Sequence, residues 1–339
     1  MNPEERKQIL AGKGKKVARR PEKTPDGKTV DGKPVDGKRK PEPMTWQEHL
    51  ISWVKTILGA LIIVMIVNGL LIQSFVVPTE SMQNEVMAGD FVFVNRFLYG
   101  GSTPQTIPFL NVPLPYLRLP GLRDPEKNDV IVFIYPGHRD EVEPQEFQYY
   151  LKRCVAVAGD TLQVKGGVVY VNGVRETTPE NLTRDPSKPD GPDSRIFPVG
   201  KGYTRDNWGP MRIPKEGDVI PLPSVDSAIM WRYFIEREGH AFGTDGQIVT
   251  IDGKIADSYT VERDYVFGMG DNRDNSEDSR YWGFIPMENV VGTPLIVYWS
   301  WENRYQPVMP DGRKGDFVEY SLGEKLKRIR WGRIFNGID

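Results

Sequence analysis

Residues 75–95 read FVVPTESMQNEVMAGDFVFVN, and the character of the chain changes inside them. Ahead lies the longest apolar run of the sequence, ILGALIIVMIVNGLLI (Ile57–Ile72), sixteen residues with Asn68 as its one polar side chain. Sixteen falls short of the roughly 20 residues a helix needs to cross a bilayer. Counted from Trp53 to Val77 the segment is 25 residues long, with Lys55 able to snorkel and Trp46 and Trp53 suited to the interface. These features predict one spanning helix. A cleavable signal peptide fits poorly, because about fifty polar residues precede the run and no A-x-A-like site follows it. A buried core helix conflicts with the near absence of charge and with the basic flank. Residues 1–50 hold 13 Lys/Arg against 8 Asp/Glu, and the remainder holds 31 against 38. That asymmetry predicts a cytoplasmic N-terminus, with everything after Val77 on the other side.

Beyond the anchor, short alternating apolar runs are broken by turn signals: GDFVFVN, NDVIVFIYP, YLKRCVAVAGD, LQVKGGVVYVNG, GQIVTIDG, YVFGMGDN and PLIVYWSW. Gly-Gly, Asn-Gly and Asp-Gly pairs mark hairpins. The expected fold is mainly β, a single N-terminal transmembrane helix followed by an extracytoplasmic antiparallel β domain with long loops. Its 339 residues, 39% hydrophobic, suffice for a sizeable core. The expected organisation is a flexible polar tail over 1–48, an anchor over 49–77, the β domain over 78–322 and a basic C-terminal tail over 323–339. The tail repeats Pro, Asp, Gly and Lys with little to fold around, although it could also serve as a basic arm. Two Pro/Gly-rich passages, 100–127 and about 176–225, interrupt the β pattern, and an insertion spans about 176–260. The first passage is itself apolar, suiting either the membrane surface or the β core. The C-terminal GEKLKRIRWGRIF suits anionic lipid, an ordinary terminal helix or a disordered tail. Cys154 is the only cysteine, which excludes an internal disulfide, a Cys-rich zinc site and a CxxC redox pair.

Ser81 lies four residues past Val77, at most about 14 Å along an extended chain, so its hydroxyl is expected near the membrane surface. A serine nucleophile needs a base. Of the three histidines, His49 falls on the cytoplasmic side of the anchor, and His138 and His240 stand in no motif. No HExxH is present. The acidic GDNRDNSEDSR (Gly270–Arg280) fails as a calcium loop, because Ser279 and Ile285 stand where Gly and a bidentate Glu are required. Lys152 is the remaining candidate. If YYLKRCVAVAGD is a strand, Lys152 shares a face with Tyr150, Cys154 and Ala156, and Arg153 points the other way. Desolvation there would favour the neutral amine; a lysine facing solvent is the equal alternative.

Taken together, PTESM, AGDFVFVN, NDVIVFIYP, YLKRCVAVAGD and GMGDNRDNSEDSRYWGFIP resemble, in order and spacing, the motifs of the type I signal peptidases, membrane-anchored serine proteases with a Ser-Lys dyad. The resemblance runs from about Ser74 to Pro286, and its last motif is the most specific. It implies Ser81 as nucleophile, Lys152 as general base and Ser276 as the group orienting the lysine. Thr79 and the Ser81 N–H would form the oxyanion hole, and Asp278 with Arg280 a structural support. Phe75, Val77, Pro78, Met82, Tyr150 and Leu151 would line shallow pockets for small side chains. Gln83, Asn84 and Glu85 replace a Pro-Thr-containing turn, leaving Val86 as the apolar wall. Asn128 stands where Gly is frequent, and Ala156 and Ala158 where Gly and Pro are.

The resemblance further implies removal of signal peptides after a small residue, A-x-A-like, through an acyl-enzyme. No metal and no organic cofactor are expected. The expected setting is the bacterial cytoplasmic (inner) membrane, crossed once. Expected partners are signal-peptide-bearing preproteins and the lipid bilayer, with no nucleic acid and with a secretion translocon left open. A Ser-Lys protease dedicated to one precursor, a catalytically silent β domain that binds exported proteins, and a self-cleaving repressor are the alternatives. The repressor reading lacks a DNA-binding module.

Overall fold

The computed structural model describes residues 45–103, 117–307, 309, 313 and 315–338. The polar tail ahead of residue 45 and the 107–116 part of the apolar passage lie outside them. By internal contacts the chain divides into two units, Met1–Leu58 and Gly59–Asp339, and every strand belongs to the second.

Helix α1, Trp46–Ile66, starts at a capping arrangement in which the Thr45 N–H donates to Glu48 Oε2 at 2.7 Å, while the Glu48 N–H donates back to Thr45 Oγ1. It buries none of its side chains and runs into a π turn over Val67–Leu71. The continuous helix Trp46–Leu71 is 26 residues and contains an 18-residue window with a mean hydropathy of 2.4, long and apolar enough to cross a membrane. It ends earlier than the sequence suggests. Ile72 turns extended, and Ile72–Val76, read above as the end of the anchor, form strand β1. The cause is pairing: Phe75 sits opposite Val92 and Val76 opposite Phe91, so these β-branched and aromatic residues complete a ladder rather than a helix. Ser81 therefore lies ten positions past Leu71, a reach of at most about 35 Å.

The main sheet adds β2 (Asp90–Asn95), β3 (Val130–Ile134), β4 (Tyr149–Ala156), β5 (Tyr265–Met269), β6 (Ile285–Pro286) and β7 (Val290–Ser300). Its order is β1-β2-β7-β3-β4-β5-β6, every neighbouring pair antiparallel. Alternation along β3 sends Val130 and Val132 to a cluster with Val77, Met82 and Val92, and Ile131 and Phe133 to another with Cys154, Trp282 and Ile285. Both faces are thus covered. The hairpin turns at Gly166–Gly167, Asn172–Gly173 and Asp252–Gly253 hold both central residues at positive φ, as type I′ turns require. Asn84 and Asn128 also adopt positive φ, which asparagine tolerates better than other side chains.

The inserted segment is part of the core. Its strand Trp208–Arg212 pairs with Thr161–Lys165. Trp208 is fully buried, with its ring 4.6 Å from that of Phe267 on β5 and its Nε1–H donating to Phe197 O at 2.6 Å. The C-terminal residues also pack back: the Arg330 guanidinium donates to Ala88 O and Trp301 O, and Arg333 to Asp90 and Glu85 O. Trp208→Ala is expected to destabilise the protein by roughly 3–5 kcal/mol, read as a lower unfolding midpoint in detergent; an unchanged midpoint would mean the insertion is not coupled to the core.

Candidate active site

Lys152 lies on β4, whose Arg153–Ala156 half pairs with β5 while Tyr149–Lys152 keep only β3 as a strand neighbour among the described residues. Opposite the lysine stem stands Gly268. A Cβ there would meet Ile285 Cδ1 at 3.0 Å and Lys152 Cβ at 3.1 Å, so the absence of a side chain makes room for the lysine. Lys152 is 3% exposed. Its Nζ lies 5.4 Å from the centre of the Tyr150 ring and 5.8 Å from that of Trp282. The amine reaches Ser81 Oγ at 2.8 Å and donates to Leu151 O at 3.2 Å. Burial lowers its pKa from 10.5 to about 8, against the opposing pull of the Asp278 and Glu277 carboxylates.

Ser81, 8% exposed, sits in a turn tied down on several sides. Its carbonyl accepts from the Asn272 N–H at 3.0 Å, and Asn272 Nδ2 donates to Glu80 O and Gln83 Oε1. The Val77 N–H donates to Asp90 O, and the Gly89 N–H to Val77 O, so the loop is closed at its base. Thr79 Oγ1 lies 3.4 Å from Ser81 Oγ.

Gly270 permits the close approach of the last motif. A Cβ there would fall 2.2 Å from Ser276 Oγ and 2.5 Å from Ser81 O. Ser276 is buried beside it, but its Oγ has no hydrogen-bond partner. The bond from Ser276 to the lysine that the resemblance implies is therefore absent, because the amine is directed at Ser81 and Leu151 O. Asp278 and Arg280, 0% and 1% exposed, form a bidentate pair at 2.8 and 2.7 Å. Asp278 also accepts from the Gly270 N–H at 3.1 Å. Burial disfavours its charged form, yet the Arg280 guanidinium and these hydrogen bonds outweigh it and hold the carboxyl below its usual range.

Ser81 and Lys152 open onto a cleft of about 880 Å³, whose wall includes Phe75, Val77, Pro78, Met82, Tyr150 and Leu151. Val86 is not part of it. That side chain is fully buried in the Val77/Met82/Val92 cluster, behind the wall it was expected to form. Sequence reasoning missed Val92, Val132 and Tyr149 in the same wall; their one signal was alternation along predicted strands. It also missed Arg153. That side chain is buried, grips Asp271 at 2.9 and 2.7 Å and donates to Asn128 O, locking the lysine strand to the last motif. No histidine lines the cleft among the described residues: His138 bonds Tyr135 Oη, and His240 bridges Asp252 and Glu262.

A helix long and apolar enough to cross a membrane, an antiparallel β domain and a buried lysine against a serine in a cleft fit the class of membrane-anchored serine-type proteases. The sequence matches the family described as "Signal peptidase, peptidase S26" over residues 50–299, and the chain belongs to that family. It is 26% identical to signal peptidase I of Helicobacter pylori over 85% of this chain and 91% of that one. With signal peptidase I of Pseudomonas aeruginosa it shares 28% identity over 80% of each chain. A solved signal peptidase I from Enterococcus faecalis aligns at 19% identity and a TM-score of 0.26, covering 51% of this chain and 98% of that one. The chain is thus a serine-type signal peptidase, an enzyme of signal-peptide removal.

Asp278→Asn leaves Arg280 buried without its full counter-charge and is expected to lower stability by roughly 3–5 kcal/mol. Because the folded carboxyl is held low, its contribution is complete above the usual carboxylate range and fades as pH falls through the folded pKa. Denaturation curves of wild type and variant at neutral and acid pH check this: the gap should be widest at neutral pH and narrow in acid.

Proposed function

We propose that this protein cuts signal peptides from exported preproteins at the outer face of the bacterial cytoplasmic membrane, after a small residue, with Ser81 as nucleophile and Lys152 as general base. The observation that carries this reading is the 2.8 Å approach of a buried lysine amine to a serine hydroxyl. Above a pKa of about 8 the amine is neutral and accepts the hydroxyl proton. Ser81 Oγ then attacks the scissile carbonyl, and the oxyanion is held by the Ser81 N–H and the Thr79 hydroxyl. The protonated lysine returns its proton to the leaving amine, and water, activated by the same amine, releases the acyl group. The edge of β4 away from β3 receives the substrate as an added strand, and the walls from Phe75, Val77 and Leu151 favour small side chains. The apolar helix and the basic N-terminal flank support a single-pass orientation with this domain outside the cytoplasm. Tethering to the bilayer raises the effective concentration of a membrane-embedded substrate.

Cleavage of a purified preprotein bearing an A-x-A site, followed in detergent against pH, tests the reading. Wild type should cut once after the small residue, with kcat/KM rising through an apparent pKa near 8. Ser81→Ala should lose more than about 1,000-fold of activity. Equal cleavage by Ser81→Ala would rule out the serine. Cleavage confined to one precursor out of a panel would favour the dedicated protease.

A further inference from the structure

A second cavity of about 520 Å³ adjoins the cleft, and Glu80 and Arg304 belong to the walls of both. Glu80 is the chain neighbour of Ser81, so the two cavities meet beside the reacting hydroxyl. Their linings differ in balance. The cleft sets Phe75, Val77 and Leu151 together with Arg195, Asp274 and Glu277, whereas the second cavity carries Arg304, Lys327, Arg328 and Arg330 against Glu80 and Glu302.

Much of that charge is already committed. Arg328 pairs with Glu302 at 3.3 Å and lies over the Tyr320 ring. Arg330 is spent on Ala88 O and Trp301 O, pairs with Asp90 and feels the field of Glu80. Two cations remain. Arg304 rests on the Phe317 ring at 4.0 Å with no carboxylate partner among the described residues, and its Nε is buried without a hydrogen-bond partner. Lys327, at the end of the helix Leu322–Lys327, is exposed and likewise lacks a carboxylate partner. An uncommitted guanidinium and an ammonium on the wall of a cavity are groups that recognise carboxylates.

We propose that this cavity is the subsite for the residues following the cut, and that Arg304 and Lys327 select preproteins whose mature chains begin with acidic side chains. The inference rests on the Ser81 reading above. Residues before the cut occupy the apolar cleft; the chain that continues past the scissile bond crosses Glu80 and Arg304 and enters the basic cavity. Glu80 at the threshold adds repulsion against an acidic residue immediately after the cut, so the preference falls on the second to fourth mature positions. The cost of a like charge facing Arg304 and Lys327 disfavours lysine or arginine at those positions.

The test uses the full-length protein in detergent and two preproteins identical up to the cut, one with Asp and Glu at mature positions two to four and one with Lys and Arg. Wild type should favour the acidic substrate in kcat/KM by roughly tenfold at low salt, from one exposed and one half-buried charge pair gained or opposed, and the preference should shrink as salt rises. Lys327→Glu and Arg304→Gln, each checked for an unchanged unfolding midpoint, should reduce this ratio, and the double variant should bring it to one or below. The readout is a ratio, so a general loss of activity does not mimic the effect. A wild-type ratio near one, or a ratio that the variants leave intact, overturns the subsite. A ratio that responds instead to Glu277→Gln would send the leaving chain toward the other rim of the cleft and also overturn it. Failure of the underlying reading looks different, because Ser81→Ala would then cut both substrates as wild type does.

Discussion

A lysine ammonium taken out of water beside a serine hydroxyl is the constraint around which this domain is arranged. Moving the amine from a pKa of 10.5 to about 8 represents roughly 3 kcal/mol of disfavoured charge, and that asymmetry must be built from packing. Strand β4 supplies it by running between β3 and β5, with the Tyr150 and Trp282 rings near the amine and the missing side chain of Gly268 leaving space for the stem. The carboxylates within range work the other way. Asp278 pulls the lysine back toward its charged form, and the Arg280 guanidinium paired with it at 2.7 Å opposes that pull. The buried ion pair therefore does more than brace the fold: it limits the field of a carboxylate close to the amine.

The serine side depends on a different device. Ser81 is carried by a loop rather than a strand, and loops hold position only where their backbone groups are bonded. Here Gly89 with Asp90, Asn272 and Arg333 supply those bonds from three separate stretches of the chain. The last motif reaches close enough to do so because Gly270 carries no Cβ. The inserted segment joins in, with the Thr183 N–H donating to Asp271 O and the Arg273 N–H donating to Thr183 O. Residues far apart in sequence thus fix one hydroxyl against one amine.

Much of this was legible in the sequence because local signals and tertiary demands agreed. The alternating runs became strands, the Asn-Gly and Asp-Gly pairs became hairpin turns, and the lysine shared its strand face with Tyr150 and Cys154 as the period of two requires. The readings that departed did so where local pattern and pairing compete. Phe75-Val76-Val77 is apolar enough to extend a membrane helix, and only the β2 strand opposite it decides otherwise. Val86 follows the serine closely in sequence, but the turn directs it into the core. Ser276 carries the hydroxyl the motif leads one to expect, yet whether it meets the lysine depends on side-chain direction, which no spacing encodes. The second cavity is assembled from residues 80–88 and 302–330, a juxtaposition with no signature along the chain.

The central claim is that the Lys152 amine gives up its proton near pH 8 rather than near 10.5 because the fold withholds water from it. Nuclear magnetic resonance of the full chain in detergent, with lysines labelled at Cε and Nζ and Lys152 assigned by the Lys152→Arg variant, measures that protonation directly. The account predicts one lysine titrating with a midpoint near 8, lost in the variant. A midpoint for Lys152 near 10.5, among the solvent-exposed lysines, would contradict it.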